Sequence, residues 1–461
     1  MTETATRPVP GAPRAYHFPP FERHALDNGL TVWLVPLHGR ALVNVHLVLD
    51  AGAAAEDAAS AGIASLTAQL LVTGTKRLDA TRFAEATERL GLEIGSESSW
   101  DSARASFGAL SEQLPPALAL LAEMIREPRL EEREFERLKA ERLADIMQSR
   151  ADPGRLADEM FIRPLYAEGV AYGRPAAGGP ETVAGLNIEH ARAHHATHYR
   201  PGSGHLIIAG AVEPDSAMKA VREQFGAWDG SGPGHQLVEP TAAGRRRVVL
   251  VDRPGSVQSE LRVGQVGIDR ADPRFFRALV MSTLLGGMFW SRLNRRLREE
   301  LGYTYGARAG FDPRRSAGPF LASAAVQTEV TVAAIRELLG LVEGIREAPP
   351  ADRELREAKD FLIGIFPLRF ETTGGLASAI EPLAVYGLAD DYWQTYRAHV
   401  EAVSADDVHR TAGELIDPDR LIVLLSGDAA TLRDPLGDAA FGPVEELRPE
   451  GAAAPPGASG A

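Results

Sequence analysis

Apolar residues recur with two different periods along the chain, which predicts strands and helices in a fixed order. In the first half, residues 31–37 and 42–49 are predicted strands, and residues 60–73 and 80–90 are predicted helices. A strand pair at 92–110 and helices at 113–126 and 131–149 come next. Paired strands with helices grouped between them favour an α+β fold, with a mostly antiparallel sheet and helices packed on one face.

The same order of predicted strands and helices recurs in the second half of the chain, beginning near Arg247. Residues 125–140 match residues 345–360 at an offset of 220, with six identical residues in register. Three more matches keep the same order at offsets of 211, 215 and 216: residues 90–91 with 301–302, 206–208 with 421–423, and 32–35 with 248–251. Loop insertions produce small changes in offset. We therefore interpret the chain as a tandem duplication of two similar lobes that enclose a cavity.

Local composition predicts the lobe boundaries. Residues 229–244 are rich in Gly and Pro, which is typical of a linker, so the lobes are expected at 21–228 and 245–440. Residues 1–20 and 441–461 are low in bulky apolar side chains and are predicted to be disordered.

Composition excludes several classes of protein and site. The chain has no cysteine among its 461 residues, which excludes disulfides, thiolate zinc sites and cysteine nucleophiles. A net charge of −14 argues against nucleic acid or an anionic membrane as a partner, and serves either solubility or the attraction of basic peptides. We identify no signal-peptide core in residues 1–20 and no apolar run long enough to span a bilayer, so a cytoplasmic location is expected.

Residues 291–311 (SRLNRRLREELGYTYGARAGF) form the most informative segment. Leu293, Leu297 and Leu301 recur every four residues, which predicts a helix with one face toward the core. Two i,i+4 ion pairs are expected on its surface, Arg295 with Glu299 and Arg296 with Glu300.

Arg298 is left without a carboxylate at a helical spacing of three or four residues. Gly302 is a plausible helix end, and Tyr303 and Tyr305 are expected to alternate into a strand. A guanidinium and a phenol seven residues apart, on either side of this turn, could both face a bound peptide.

The duplicated chain resembles the pitrilysin/insulinase metallopeptidases, of the type that includes mitochondrial processing peptidase and its bacterial relatives. The resemblance covers roughly residues 21–440. It rests on the 291–311 segment, on DNGLTVWLVP (27–36) and on HHATHYRPGSGHLIIAGAV (194–212).

Catalytic members of that family carry H-x-x-E-H on the first long helix, with two zinc-binding histidines, a glutamate that activates water, and a distal glutamate ligand. The resemblance places these motif positions on Ser65, Ala68 and Gln69, and the distal ligand near Asp145 or Glu141. Serine and glutamine are poor zinc ligands, and alanine cannot move a proton. We therefore expect no cofactor in this chain.

The resemblance also implies a role for Arg298 and Tyr305. In such enzymes an Arg and a Tyr of the second lobe bind the substrate backbone. Some bacterial members divide the site between two chains. This sequence fits the chain without zinc, so a homologous zinc-binding subunit is the expected partner and peptides are the expected substrate. A processing-peptidase α chain is the nearby alternative, although the glycine-rich loop of those chains is here only LLGGMFW (284–290).

Two other functional hypotheses remain. The chain could be an inactive scaffold or peptide-binding member of the same family. It could also be an autonomous metalloenzyme, because His190, His194 and His198 share one predicted helix face. No glutamate completes an H-E-x-x-H arrangement there, so we interpret that helix mainly as a surface or packing element.

Overall fold

Twelve strands form two six-stranded mixed sheets in the computed structural model, which describes residues 11, 14–39, 41–232 and 244–448. The first sheet has the order β1-β2-β6-β3-β5-β4. Its strands are β1 (Glu22–Ala25), β2 (Thr31–Pro36), β3 (Leu42–Leu49), β4 (Glu93–Ser98), β5 (Ala103–Leu110) and β6 (His205–Gly210). The second has the order β12-β7-β11-β8-β10-β9. Its strands are β7 (Arg247–Asp252), β8 (Gln258–Val266), β9 (Ala307–Phe311), β10 (Pro319–Gln327), β11 (Ile422–Gly427) and β12 (Val444–Leu447).

The two sheets confirm the predicted duplication. Five strands follow the same order in both sheets, and each has a parallel pair at the same place: β2 with β6, where Thr31 faces His205, and β7 with β11, where Arg247 faces Ile422. Only the sixth strand differs. β1 comes from the N-terminal side and runs antiparallel to β2, whereas β12 comes from the C-terminal side and runs parallel to β7.

The described helices also fall into two sets. The first half contains α1 (Ile63–Leu71), α2 (Ala80–Arg89), α3 (Leu114–Arg126), α4 (Glu132–Ala151), α5 (Pro153–Ile162), α6 (Pro180–Gly185), α7 (Ile188–His198) and α8 (Pro214–Phe225). The second contains α9 (Phe275–Ser282), α10 (Thr331–Gly344), α11 (Asp352–Ile365), α12 (Thr373–Tyr386), α13 (Tyr392–Ala402), α14 (Ala405–Leu415) and α15 (Ala429–Asp438). Two π-helical turns, Thr283–Gly287 and Asn294–Glu300, lie between α9 and β9.

The halves exchange one helix each. α5 of the first half packs on β8 and β11, while α12 of the second half packs on β3 and β6. Trp33 and Ile207 consequently belong to the same apolar cluster as Leu376 and Ile380 of α12. Helices of its own half cover one face of the first sheet, as predicted, and the exchanged helix covers part of the other. Apolar side chains therefore fill the contact between the first sheet and the exchanged helix α12.

A buried carboxylate joins the halves beside the exchanged helices. Asp101 is only 2% exposed and accepts hydrogen bonds from Tyr172 Oη at 2.5 Å, the Arg315 amide at 2.9 Å and Tyr386 Oη at 3.3 Å. A buried carboxylate is tolerated when several donors satisfy it. Since Arg315 and Tyr386 come from the second half, these bonds fix how the two halves meet.

The predicted disorder of both ends is partly wrong. Tyr16 stacks on Phe370, and the Phe18 ring is buried among second-half residues, because these two rings complete an aromatic cluster. At the other end, Val444–Leu447 adds a strand to β7. Most of the predicted linker, residues 233–243, lies outside the described residues. Among the described helices, none is both long and apolar enough to cross a bilayer.

Candidate functional site

The helix that carries the motif positions, α1, begins at a buried carboxylate. Glu56 accepts hydrogen bonds from the amides of Gly62 at 3.0 Å and Ala64 at 2.6 Å, which are free donors of the first helical turn. Burial raises the pKa of Glu56 to about 7. Gly62 has φ +101°, and a Cβ there would lie 2.8 Å from the Ala177 carbonyl oxygen, so only glycine fits. These contacts fix the direction of α1.

An arginine lies at the degenerate motif. Ser65 and Ala68 are buried and Gln69 is half-buried, and Ser65 Oγ accepts a hydrogen bond from Nη2 of Arg142 on α4 at 3.1 Å. A zinc site needs three protein ligands of the imidazole, thiolate or carboxylate type. This position instead holds a hydroxyl, a methyl group, an amide and a fixed positive charge. The residues present do not fit a zinc ion.

Neither carboxylate considered for the distal ligand faces α1. Glu141 is exposed and pairs with Arg137 at 2.7 Å, and Asp145 is also exposed. The buried positions of this part of α4 include Leu138 and Ile146, and Ile146 packs with Leu66 and Leu70 of α1. The expected position of the distal ligand is therefore wrong. The face of α4 that packs on α1 contains Leu138, Arg142 and Ile146, spaced four residues apart, and the two carboxylates lie outside this face. Sequence reasoning missed Arg142, although it lies between them.

The histidines of α7 have structural contacts. His190 Nδ1 lies 3.1 Å from the Asn187 amide, which closes a cap at the helix N-terminus. His194 is buried, and burial lowers its pKa to about 3. His195 Nε2 bonds the Ile125 carbonyl oxygen at 2.7 Å. Within the described ranges no three His, Cys, Asp or Glu side chains are grouped to hold a metal, so the interpretation of α7 as a packing element fits its contacts.

The 291–311 segment is helical to Glu300, but its second part, Asn294–Glu300, is a π-helical turn. Leu293 and Leu297 are fully buried, as the predicted stripe requires. Of the two expected ion pairs, Arg296 with Glu300 forms at 2.9 Å. Glu299 pairs with Arg298 at 2.7 Å.

The interpretation of Arg298 as lacking a local carboxylate is therefore wrong. It considered only carboxylates three or four residues away, whereas the partner is the next residue in the chain. The backbone here is also π-helical, with a bond from the Leu301 amide to the Arg296 carbonyl at 3.1 Å. The guanidinium carbon of Arg298 also lies 3.7 Å from the ring centre of Phe289. Only 17% of the side chain is exposed, so the guanidinium lies between an aromatic face and Glu299.

Tyr305 has the opposite environment. Gly302 ends the helix with φ +66°, and the Tyr303 amide bonds the Leu297 carbonyl at 2.8 Å. The strand begins only at Ala307, so the expected alternation of both tyrosines into a strand is wrong. Tyr303 packs against the core, whereas Tyr305 is 97% exposed. No hydrogen bond joins Arg298 and Tyr305 in the described part of the chain.

The short loop before this segment packs against the sheet. A Cβ at Gly286 would lie 2.2 Å from the Ala309 amide of β9, so this turn requires glycine for close approach. Phe289 and Trp290 follow, 60% and 50% exposed, with an edge-to-face contact at 5.3 Å. The loop therefore presents two aromatic rings beside Arg298, which sequence reasoning missed.

Two models of one peptidase family match the chain. The model described as insulinase (peptidase family M16) matches residues 32–171, and the model described as peptidase M16 inactive domain matches residues 185–362.

Similar curated proteins include a zinc protease of Streptomyces coelicolor, 25% identical over 86% of this chain and 87% of that protein. The non-peptidase homolog YmxG of Helicobacter pylori is 24% identical over 79% of this chain and 84% of its own length. A solved peptidase M16 inactive domain from Pseudomonas fluorescens shares the fold with a TM-score of 0.83 at 23% identity, covering 88% of this chain and 98% of that one. The chain belongs to the insulinase (M16) peptidase family.

Proposed function

We propose that this chain is the non-zinc, substrate-binding subunit of a heterodimeric zinc metallopeptidase, and that Arg298 and Tyr305 are its part of the active site. The metal and the general base would belong to a homologous partner that carries H-x-x-E-H. The observation that carries this proposal is Tyr305, a phenol that is 97% exposed on a loop whose two ends are hydrogen-bonded.

The chemistry of the pair suits a developing oxyanion. A phenol donates one hydrogen bond and a guanidinium several, and donors fixed before the reaction stabilise the charge that develops on a peptide carbonyl oxygen. Glu299 and Phe289 hold Arg298 beside the surface, where Nη2 lies 2.7 Å from the Glu299 carboxylate and the guanidinium carbon lies 3.7 Å from the Phe289 ring centre.

Two features of the chain support a divided site. Arg142 occupies the degenerate motif, so the first half is unsuited to the metal. The contact between the lobes is filled by apolar side chains, so a second chain would have to complete a chamber around the peptide. The curated relatives include both proteins named zinc proteases and one named a non-peptidase homolog, as expected for a family with both kinds of chain.

The test is peptide hydrolysis by the chain alone, by an H-x-x-E-H chain that co-purifies with it, and by the mixture. Only the mixture should be active, and Arg298→Ala and Tyr305→Phe should reduce its rate. Tyr303→Phe and Arg295→Ala are matched controls from the same segment. Activity in the mixture that is unchanged by both site substitutions would contradict the assigned roles.

A second candidate is an inactive scaffold or peptide-binding subunit. The enclosure of Arg298 by Glu299 and Phe289 favours it, because a structural arginine needs nothing further. This alternative predicts binding without hydrolysis in any mixture, and no loss of binding in Tyr305→Phe.

A further inference from the structure

The loop that carries Tyr305 is tied to the helix that carries Arg298 by one buried side chain. Asn294 Oδ1 accepts a hydrogen bond from the Ala307 amide at 2.8 Å, two residues after Tyr305. Its Nδ2 donates to the Met288 carbonyl at 3.3 Å and to Ser291 Oγ at 3.2 Å. The side chain is buried, and each of its polar atoms is satisfied.

Two further contacts limit the motion of the loop. The Tyr303 amide bonds the Leu297 carbonyl at 2.8 Å, and Thr304 Oγ1 bonds both the amide and the carbonyl of Gly306, at 3.1 and 2.9 Å. Of the contacts described for this loop, the one at Ala307 is made by a side chain of the helix. Tyr305 lies between the two fixed ends, is 97% exposed, and makes no hydrogen bond to any residue that the structure describes.

We infer that Asn294 is a positioning residue: it anchors the end of the loop that carries Tyr305 to the helix that carries Arg298, and so limits where the Tyr305 side chain can lie. The effect of Asn294 on catalysis rests on the proposed function. The anchoring of the loop by Asn294 does not. An amide suits the position because it offers one acceptor to the Ala307 amide and a donor to the Met288 carbonyl at the same time.

Hydrogen exchange at the Ala307 amide tests the structural content in the full chain without a partner. Asn294→Ala removes the acceptor, so exchange at Ala307 should accelerate at least about tenfold, as expected for loss of local protection. Asn294→Asp keeps an acceptor oxygen and should preserve slow exchange. Unchanged exchange in Asn294→Ala overturns the inference.

A double-mutant cycle in the active mixture tests the catalytic consequence. Asn294→Ala should lower kcat about 10- to 100-fold with little change in KM, because it misplaces a transition-state donor. In a Tyr305→Phe background the same substitution should lower kcat less than about twofold, since the hydroxyl it positions is already gone. Equal losses in both backgrounds would indicate a general structural role and overturn the inference. An inactive wild-type mixture with the expected exchange pattern contradicts the proposed function and leaves the positioning of the loop established.

Discussion

The guanidinium of Arg142 donates a hydrogen bond to Ser65 Oγ at 3.1 Å, at the place where catalytic relatives are expected to hold a metal ligand. This contact adds an electrostatic obstacle to zinc binding beyond the loss of the ligands. At a separation of about 5 Å, a fixed positive charge and a divalent cation repel each other by about 7 kcal/mol even at an effective dielectric constant near 20. The first half is therefore unsuited to a zinc ion through its charge as well as through its donor atoms.

Restoring the ligands alone should not restore the metal site. A variant with Ser65→His, Ala68→Glu, Gln69→His and Ile146→Glu supplies the motif and a carboxylate on the face of α4 that packs on α1. We expect it to approach about one zinc per chain only when Arg142→Ala is added, because the guanidinium repels the ion. Metal analysis after dialysis measures this.

Arg137→Ala is the matched control for that experiment, because Arg137 lies on the same helix and pairs with surface carboxylates. It should not substitute for Arg142→Ala. Equal zinc content with and without Arg142 would show that the charge is unimportant.

The Asp101 contact should contribute strongly to stability. Asp101→Ala leaves two phenol groups and one amide without their acceptor inside the protein. We expect the free energy of unfolding to fall by about 3 kcal/mol, as measured by urea denaturation. Asp145→Ala, at an exposed position, should change it by less than about 0.5 kcal/mol. A similarly small effect of Asp101→Ala would mean that the halves do not depend on this carboxylate.

His194 should make the fold sensitive to acid. Burial lowers its pKa to about 3 from an ordinary value of 6.5, so the unfolded chain takes up a proton first as the pH falls. Its contribution to stability is present above pH 6.5 and is lost progressively toward pH 3.

Between pH 7 and 4.5, stability relative to a His194→Gln variant should therefore fall by about 3 kcal/mol. Equilibrium unfolding at several pH values measures it, with exposed His38→Gln as the control. Parallel pH profiles for wild type and His194→Gln would contradict this assignment.

Sequence patterns predicted most local elements because the signals are themselves local. Asp79 begins α2 by accepting a bond from the Arg82 amide at 2.9 Å, and Gly91 follows its end with φ +64°. The exchange of α5 and α12 could not be predicted, since an apolar helix face does not specify which sheet it covers.

In the candidate site, too, local features could be predicted and tertiary contacts could not. Spacing predicted the apolar stripe of Leu293 and Leu297, but not the π-helical backbone of this segment or the pairing of Arg298 with the adjacent Glu299, because neither follows from the period of the apolar residues. Arg142 could not be predicted to face Ser65, because the relative rotation of α1 and α4 depends on tertiary packing.

The most direct test of the central claim is the rate of peptide hydrolysis by an equimolar mixture of this chain and its co-purifying H-x-x-E-H homologue. The wild-type mixture should be active, each chain alone should be inactive, and Tyr305→Phe should lower kcat about 100-fold while Tyr303→Phe does not. Full activity of the partner alone, or a mixture unaffected by Tyr305→Phe together with Arg298→Ala, would contradict the account.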